Sequence, residues 1–412
     1  MLGLIGVREV CADRAVVRLV LARLAGNVGD GFGQLGLVFG ALEMGYGAAG
    51  LAVVMACKAA PALLVLFGGV LGDRFRRERV MAGAEGLAAV AWCGLAVCFF
   101  VGAAPFGVVC GLAFVAGLAR SLTGPAERGI VADLVQGDAR QVVNALVGQS
   151  VAVGLLVGLT AAGAVVAAAG PGWAAGIKAV AAAVGVLLLV RVRTRRRGGA
   201  RNKMLDELRS GWREFVAYRW VWLLTVQFTV VAVAAGAFSG VIGPVFVERH
   251  GGAGVWGLVA GAEAFGAIAG GVAVLWWRPR RAVLVIALLP VALAGPMLLV
   301  GIHAPWPVLA VAMLAPGAAQ AVYGVLWTTT VQAVFAPNVL ARVSSWNLLG
   351  GFALTPVAVL GAGRVTAHVG APNAARAAGL AVLGTTAVVL LSARVRSFRV
   401  AARAGGLLRV NA

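Results

Sequence analysis

The chain has 412 residues, 61% hydrophobic and 12% charged, with a mean hydropathy of +0.95 and a formal net charge of +20. That much apolar surface exceeds what a water-soluble core can hide, so the composition excludes an ordinary soluble domain. Nor is the basic excess a nucleic-acid footprint, because most of the Lys and Arg residues fall in the connections between apolar runs.

Twelve apolar runs are predicted, at 17–41, 47–70, 80–103, 106–124, 142–168, 174–193, 219–243, 253–277, 282–302, 306–326, 343–367 and 375–394. Each approaches the ~20 residues a helix needs to cross a bilayer. An all-α membrane protein is expected, with six helices in residues 1–193 and six in 219–394. Residues 194–218 form a cytoplasmic linker and 395–412 a basic tail. No cleavable signal peptide is expected at the start.

The first run carries Arg23, Asn27, Asp30 and Gln34 at spacings of 4, 3 and 4, which place all four on one helical face. A charge at mid-membrane costs about 2.5–3.5 kcal/mol on insertion scales, so this stripe is expected to face an aqueous cavity or polar partners. Two readings of Asp30 stand side by side. It is a proton or cation site on the substrate path, or it is an internal ion pair with Lys58 of the second run. The third run holds Glu85, a turn inside and close to a basic loop, and an arginine partner from that loop is expected.

Later runs add fewer polar groups. Lys178 near an end of the sixth run is expected to snorkel to the interface. Gln149, Gln227 and Gln320 are read as interhelical glue or cavity lining. Glu263, within Gly-Ala-Glu-Ala-Phe-Gly of the eighth run, has nothing beside it in sequence to neutralise it, and is the second proton-binding candidate. Trp173, Trp220, Trp222, Trp276, Trp277 and Trp306 fall near run ends and read as an interfacial belt. Cys11, Cys57, Cys93, Cys98 and Cys110 show no metal-ligand spacing and read as small apolar residues. No catalytic set, phosphate-cradling loop or metal cluster is present in the sequence, so neither an enzyme nor a cofactor is expected.

Basic residues cluster on alternate connections. They include Arg74 to Arg79, Arg191 to Lys203, Arg278 to Arg281, and Arg394 to Arg409. By the positive-inside rule both termini and the linker are cytoplasmic, in a multi-pass protein of the inner (plasma) membrane. These residues also meet anionic lipid. Within the linker, Leu205, Leu208, Trp212, Phe215 and Val216 share one helical face and predict an interfacial helix.

Residues 68–81 form a charged hairpin between two apolar runs. Gly69, Leu71, Asp73, Arg74 and Arg77 fall on Gly-x-Leu-x-Asp-Arg-x-x-Arg. This resembles the loop between the second and third helices of the major facilitator superfamily of transporters. The halves also echo each other. Gly270-Gly271-Val272 repeats Gly68-Gly69-Val70, and Asn347-Leu348-Leu349 weakly repeats Asn144-Ala145-Leu146. Paired six-helix repeats are the organisation of that superfamily.

Several short motifs are similar to its drug–proton antiporter branch, which includes macrolide-efflux and enterobactin-exporter proteins. They are Gly29-Asp30-Gly31, Pro125-Ala126, Leu134-Val135, Leu205-Asp206-Glu207-Leu208, Gly211-Trp212-Arg213, Val331-Gln332, Pro337 and Ala341-Arg342-Val343-Ser344-Ser345. The chain departs from the pattern at Arg76, at Gly158-Leu159 (where a Gly-Pro pair is usual) and at a displaced fourth-helix arginine, Arg120.

The resemblance implies a monomeric secondary transporter that exports a small lipophilic molecule, drug, natural product or siderophore by proton antiport. Its partners are then the small-molecule substrate, protons and membrane lipids, with no nucleic acid. Asp30 and Glu263 are the coupling candidates. Arg23, Asn27, Gln34, Lys58 and Gln227 are the cavity-lining candidates. Gly69, Asp73, Arg74 and Arg77 are the conformational latch. An importer or uniporter on the same fold, or a non-transporting sensor or assembly subunit, are the alternatives.

Overall fold

The computed structural model describes residues 13–64, 76–135, 139–192, 219–248, 250–277, 279, 281–334, 354–392 and 395–396. The chain forms twelve membrane-embedded helical segments. The first six are α1 (Arg14–Glu43), α2 (Gly47–Ala59, tightening into a 3₁₀ turn at Ala60–Leu64), α3 (Arg77–Val101), α4 (Phe106–Leu134), α5 (Ala139–Ala169) and α6 (Pro171–Leu189). Then come α7 (Arg219–Ala237, a π-helical turn Phe238–Ile242, then Gly243–Glu248) and α8 (Gly252–Ala273). Next is α9, built of Ala282–Leu288 and Val291–Gly301, and α10 (Trp306–Val334). Last are α11 (Thr355–Val369) and α12 (Ala371–Leu391). Among the described residues, nine helical spans are by themselves long and apolar enough to cross a membrane. The predicted runs correspond to helices, most ends shifted by a few residues, but α4 and α10 extend ten and eight residues beyond the predicted ends at 124 and 326, and parts of the runs 47–70 and 343–367 lie outside the described residues.

Helix ends follow local chemistry. The Asp13 carboxylate accepts a hydrogen bond from the Ala15 N–H at 2.7 Å and caps α1. A left-handed Gly102 (φ 67°) closes α3. Between α5 and α6 stands Gly170 at φ 91°, followed by Pro171 at the first helical position. Gly370 at φ 82° and Pro372 do the same between α11 and α12. Only glycine adopts such a φ without strain, and proline's fixed φ suits a helix start. The same turn thus recurs in both halves of the chain.

Two compact units result. Unit 1 comprises Met1–Ala200 with Val247–Gly261, and unit 2 comprises Arg201–Phe246 with Ala262–Ala412. In unit 1, α1 packs against α5 and α6, α3 against α4 and α6, and α2 against α4. The α1–α5 crossing is close because Gly154 and Gly158 lie directly on the backbone of Leu24 to Val28. Small residues are how helices approach in lipid, where the solvent is as apolar as the side chains. In unit 2, α9 packs against α12, and α7 against α11 and α12. Gly266, Gly270 and Gly317 set the α8–α10 crossing, with the Glu263 carbonyl seated on Gly317.

Large apolar side chains point outward from these helices, among them Val90, Val97 and Phe100 of α3 and Val180, Val184 and Leu187 of α6. A protein surrounded by water would not present such a continuous apolar surface, but acyl chains cover it at no cost. Trp173, Trp276, Trp277 and Trp306 are exposed, as an interfacial belt requires. Trp220 is not. It is buried against Trp327 in the core of unit 2, so the belt reading fails there. Cys57, Cys93, Cys98 and Cys110 are free thiols.

Candidate functional site

Each unit holds a cavity lined by described residues. The cavity of unit 1 measures about 290 Å³ and is polar. Asp30 and Gln34 reach it from α1, Lys58 from α2, Glu85 and Trp92 from α3, Arg120 from α4 and Lys178 from α6. Asp30 is its hub. Its Oδ1 accepts from the Lys178 ammonium at 2.7 Å, and its Oδ2 lies 2.9 Å from the Arg120 guanidinium. The Lys178 side chain is only 6% exposed, whereas that of Arg120 is 58% exposed. The lysine is therefore the partner most dependent on Asp30.

Glycines deliver that lysine. Gly29 and Gly33 sit one turn apart on α1, on either side of Asp30, and the methylene stem of Lys178 lies across both. A Cβ at Gly29 would stand 3.0 Å from Lys178 Cδ, and one at Gly33 3.1 Å from its Cγ. The ammonium also reaches the Gly26 carbonyl at 3.4 Å. A Cβ at Gly33 would meet the indole of the buried Trp92 at 2.8 Å as well. Gly33→Ala is therefore expected to destabilise the protein by about 1–3 kcal/mol, since a rigid ring must shift. Thermal unfolding in detergent measures this, and an unchanged transition would show that the ring yields freely.

The predicted ion pair of Asp30 with Lys58 is corrected. Lys58 makes no ion pair among the described residues, and its ammonium stands over the Trp92 ring at 5.5 Å. Its place is set by a close α2–α4 crossing, in which the Lys58 carbonyl sits on Gly117. A helix starting at 174, as the apolar run suggests, would leave Lys178 near its end and free to snorkel. The helix starts at Pro171, which moves Lys178 inward.

The polar stripe of α1 also divides. Asp30 and Gln34 line the cavity, but Arg23 and Asn27 are not on its wall and are 4% and 1% exposed. Asn27 donates to the Arg23 carbonyl at 2.6 Å and packs against Gly154 at the α1–α5 crossing. Glu85 was expected to pair with the basic loop. Instead it lines the cavity, with its carboxyl between Gly26 and Gly185, and it forms no ion pair among the described residues. Arg120, Lys178, Glu85 and Trp92 are thus the site residues that sequence reasoning missed.

The cavity of unit 2 measures about 320 Å³ and is mostly apolar, walled by Phe228, Val231, Leu293, Pro316 and Tyr323 among others. Phe228 stacks on Tyr323 (5.4 Å, 11°), and Tyr323 on Trp327 (6.1 Å, 4°). Gln227 borders the cavity, yet its amide is committed. It donates to the Ala287 carbonyl at 2.8 Å and to the Thr386 hydroxyl at 3.0 Å, tying α7 to α9 and α12. Glu263 is the one acidic group on this wall, and its carboxyl has no hydrogen-bond or ion-pair partner among the described residues. Of the latch, Gly69, Asp73 and Arg74 lie outside the described residues, as does the linker. Arg77 opens α3.

Twelve helices arranged in this way can be compared with known proteins. The sequence matches the Major Facilitator Superfamily over residues 12–358. The chain belongs to the major facilitator superfamily. Its fold is that of solved transporters. The nucleoside transporter NupG superposes with a TM-score of 0.73 at 10% identity, covering 93% of this chain and 100% of its own. A bacterial homologue of the iron transporter ferroportin, in an inward-facing state, gives 0.73 at 15% identity, with 92% and 98% covered. A POT family transporter in complex with 5-aminolevulinic acid gives 0.72 at 11% identity, with 92% and 96% covered. At these identities the likeness is one of fold. Among curated proteins, none matches the sequence. As a major facilitator protein the chain is a multi-pass, non-enzymatic secondary transporter of a small molecule.

Proposed function

We propose that this transporter exports a small lipophilic molecule across the plasma membrane in exchange for protons, by alternating access. The observation that carries the reading is Glu263. A carboxyl in an apolar wall with no cation beside it among the described residues exchanges a proton for a solvent or solute contact at little structural loss, whereas Asp30 is held by two cations. Phe228 and Tyr323 of the cavity wall, backed by Trp327, offer flat apolar surface for a lipophilic solute. Asp30 is read as the structural anchor of unit 1. Gly69, Asp73, Arg74 and Arg77 are read as the cytoplasmic latch, and 194–218 as the linker joining bundles 1–193 and 219–394.

Two measurements test this. In proteoliposomes loaded with a pH-sensitive dye, a transported solute should drive protons the opposite way. Solute flux without proton movement would leave a uniporter on the same fold. For orientation, a single cysteine at position 200 of a cysteine-free variant should stay unlabelled by an impermeant reagent in intact cells, since the basic residues hold that segment inside. Labelling from outside would reverse the topology.

A further inference from the structure

Among the described residues, the wall of the unit 1 cavity carries three cations, Lys58, Arg120 and Lys178, against two acids, Asp30 and Glu85. Both Asp30 oxygens are occupied, one by Lys178 and the other by Arg120. Lys58 interacts electrostatically with Asp30, Lys178 and Arg120, so its surroundings hold one shared acid and two further cations. Glu85 does not make up the difference, because it sits between Gly26 and Gly185, on the side of Lys178. Among the described residues, the face of Trp92 is what meets the Lys58 ammonium. A cation–π contact returns less than an ammonium loses on leaving water for a half-buried place. A second donor is idle too, since the Gln34 amide opens on the cavity with no hydrogen-bond partner among the described residues.

We propose that the unit 1 cavity is an anion site, in which Lys58, Gln34 and Arg120 together hold the acidic group of the transported molecule. The vacant charge is single, the donors converge on one cavity, and a guanidinium and an amide both suit the oxygens of a carboxylate or phosphate. The substrate is then a lipophilic acid, not a neutral or cationic compound. This deepens the transport reading. Equilibrium binding tests it without any proton gradient, so a failure at Lys58 and a failure of coupling at Glu263 are separate results.

Purified protein in detergent, at fixed ionic strength, would be titrated with 2-naphthoate, octanoate, phenyl phosphate and inorganic phosphate. The neutral 2-naphthylmethanol and the cationic 2-naphthylmethylamine serve as matched controls, and thermal unfolding is the readout. At least one organic acid should raise the unfolding temperature saturably, while the alcohol and the amine of the same shape do not. Lys58→Met should weaken that acid at least tenfold, and Lys58→Arg should keep it within about threefold. With no ligand, Lys58→Met should unfold at the same or a higher temperature, because it removes a charge that lacks a partner. Three results would overturn the proposal: no acid stabilises, the alcohol stabilises as well as the acid, or inorganic phosphate competes as strongly as any organic acid. A ligand-free Lys58→Met protein that unfolds at a lower temperature would overturn it too, since Lys58 would then have a structural partner.

Discussion

Asp30→Asn is expected to destabilise the protein by about 3 kcal/mol, the scale for removing one partner of a buried ion pair. The amide keeps the shape and removes the charge, leaving Lys178 and Arg120 facing each other. Arg120 can turn toward solvent, since its side chain is 58% exposed, so most of the loss falls on Lys178. The stem of Lys178 is fixed across Gly29 and Gly33, and its ammonium cannot withdraw. The second-site test follows. Adding Lys178→Met to Asp30→Asn should restore most of the lost stability. Adding Lys58→Met should restore less, because removing Lys58 relieves only repulsion and leaves the Lys178 ammonium without its partner. Denaturant or thermal unfolding of the three variants decides between them. If Lys58→Met restores as much as Lys178→Met, Lys58 is the working partner of Asp30.

Glu263→Gln should do the reverse, leaving the fold alone and removing coupling. Its carboxyl has no described partner to lose, so stability should change by no more than about 0.5 kcal/mol, as at other sites without a special contact. Glutamine mimics the protonated carboxyl permanently. Solute-for-solute exchange across proteoliposomes should therefore survive, while accumulation driven by an imposed pH gradient should fall at least tenfold. Gradient-driven accumulation at the wild-type rate would take the proton away from Glu263. Since the exchange assay needs no proton, a variant that loses both activities would mean that Glu263 binds the solute itself.

Much of this architecture could be read from the chain. Composition and run length give the helices, because the bilayer imposes one length and one polarity on each. The spacing of Arg23, Asn27, Asp30 and Gln34 identified the face of α1 that carries charge. What could not be read is which distant residue meets that face. Periodicity describes one helix, whereas the contact of Asp30 with Lys178 spans 148 positions and depends on how α1 and α6 cross. That crossing is set by glycines, and in a chain with 59 of them the two that matter do not stand out. Glu85 was misplaced for the same reason. The basic residues nearest it in sequence are Arg76, Arg77 and Arg79, but its neighbours in space are Gly26, Gly185 and the cavity. A usable signal was present in Gly29-x-x-x-Gly33 flanking an acid, a small-residue slot wide enough for a lysine stem.

The π-helical turn of α7 at Phe238–Ile242, where the Gly243 N–H reaches back to the Phe238 carbonyl, has a consequence for how this sequence can change over evolution. Such a turn amounts to one surplus residue held within an otherwise α-helical rod. Deleting a single residue there would let the hydrogen-bond ladder close as an ordinary α-helix and leave the segments on either side near their present phase, so that Gln227 keeps Ala287 and Thr386. A one-residue deletion elsewhere in α7 would instead rotate one side of the helix against the other by about 100°. Absorbing the π-helical turn would confine that rotation to the stretch between the cut and the turn. The helix thus carries a built-in allowance for length change at one place, and related chains that shorten α7 should do so by losing the turn and keeping the phase of Gln227.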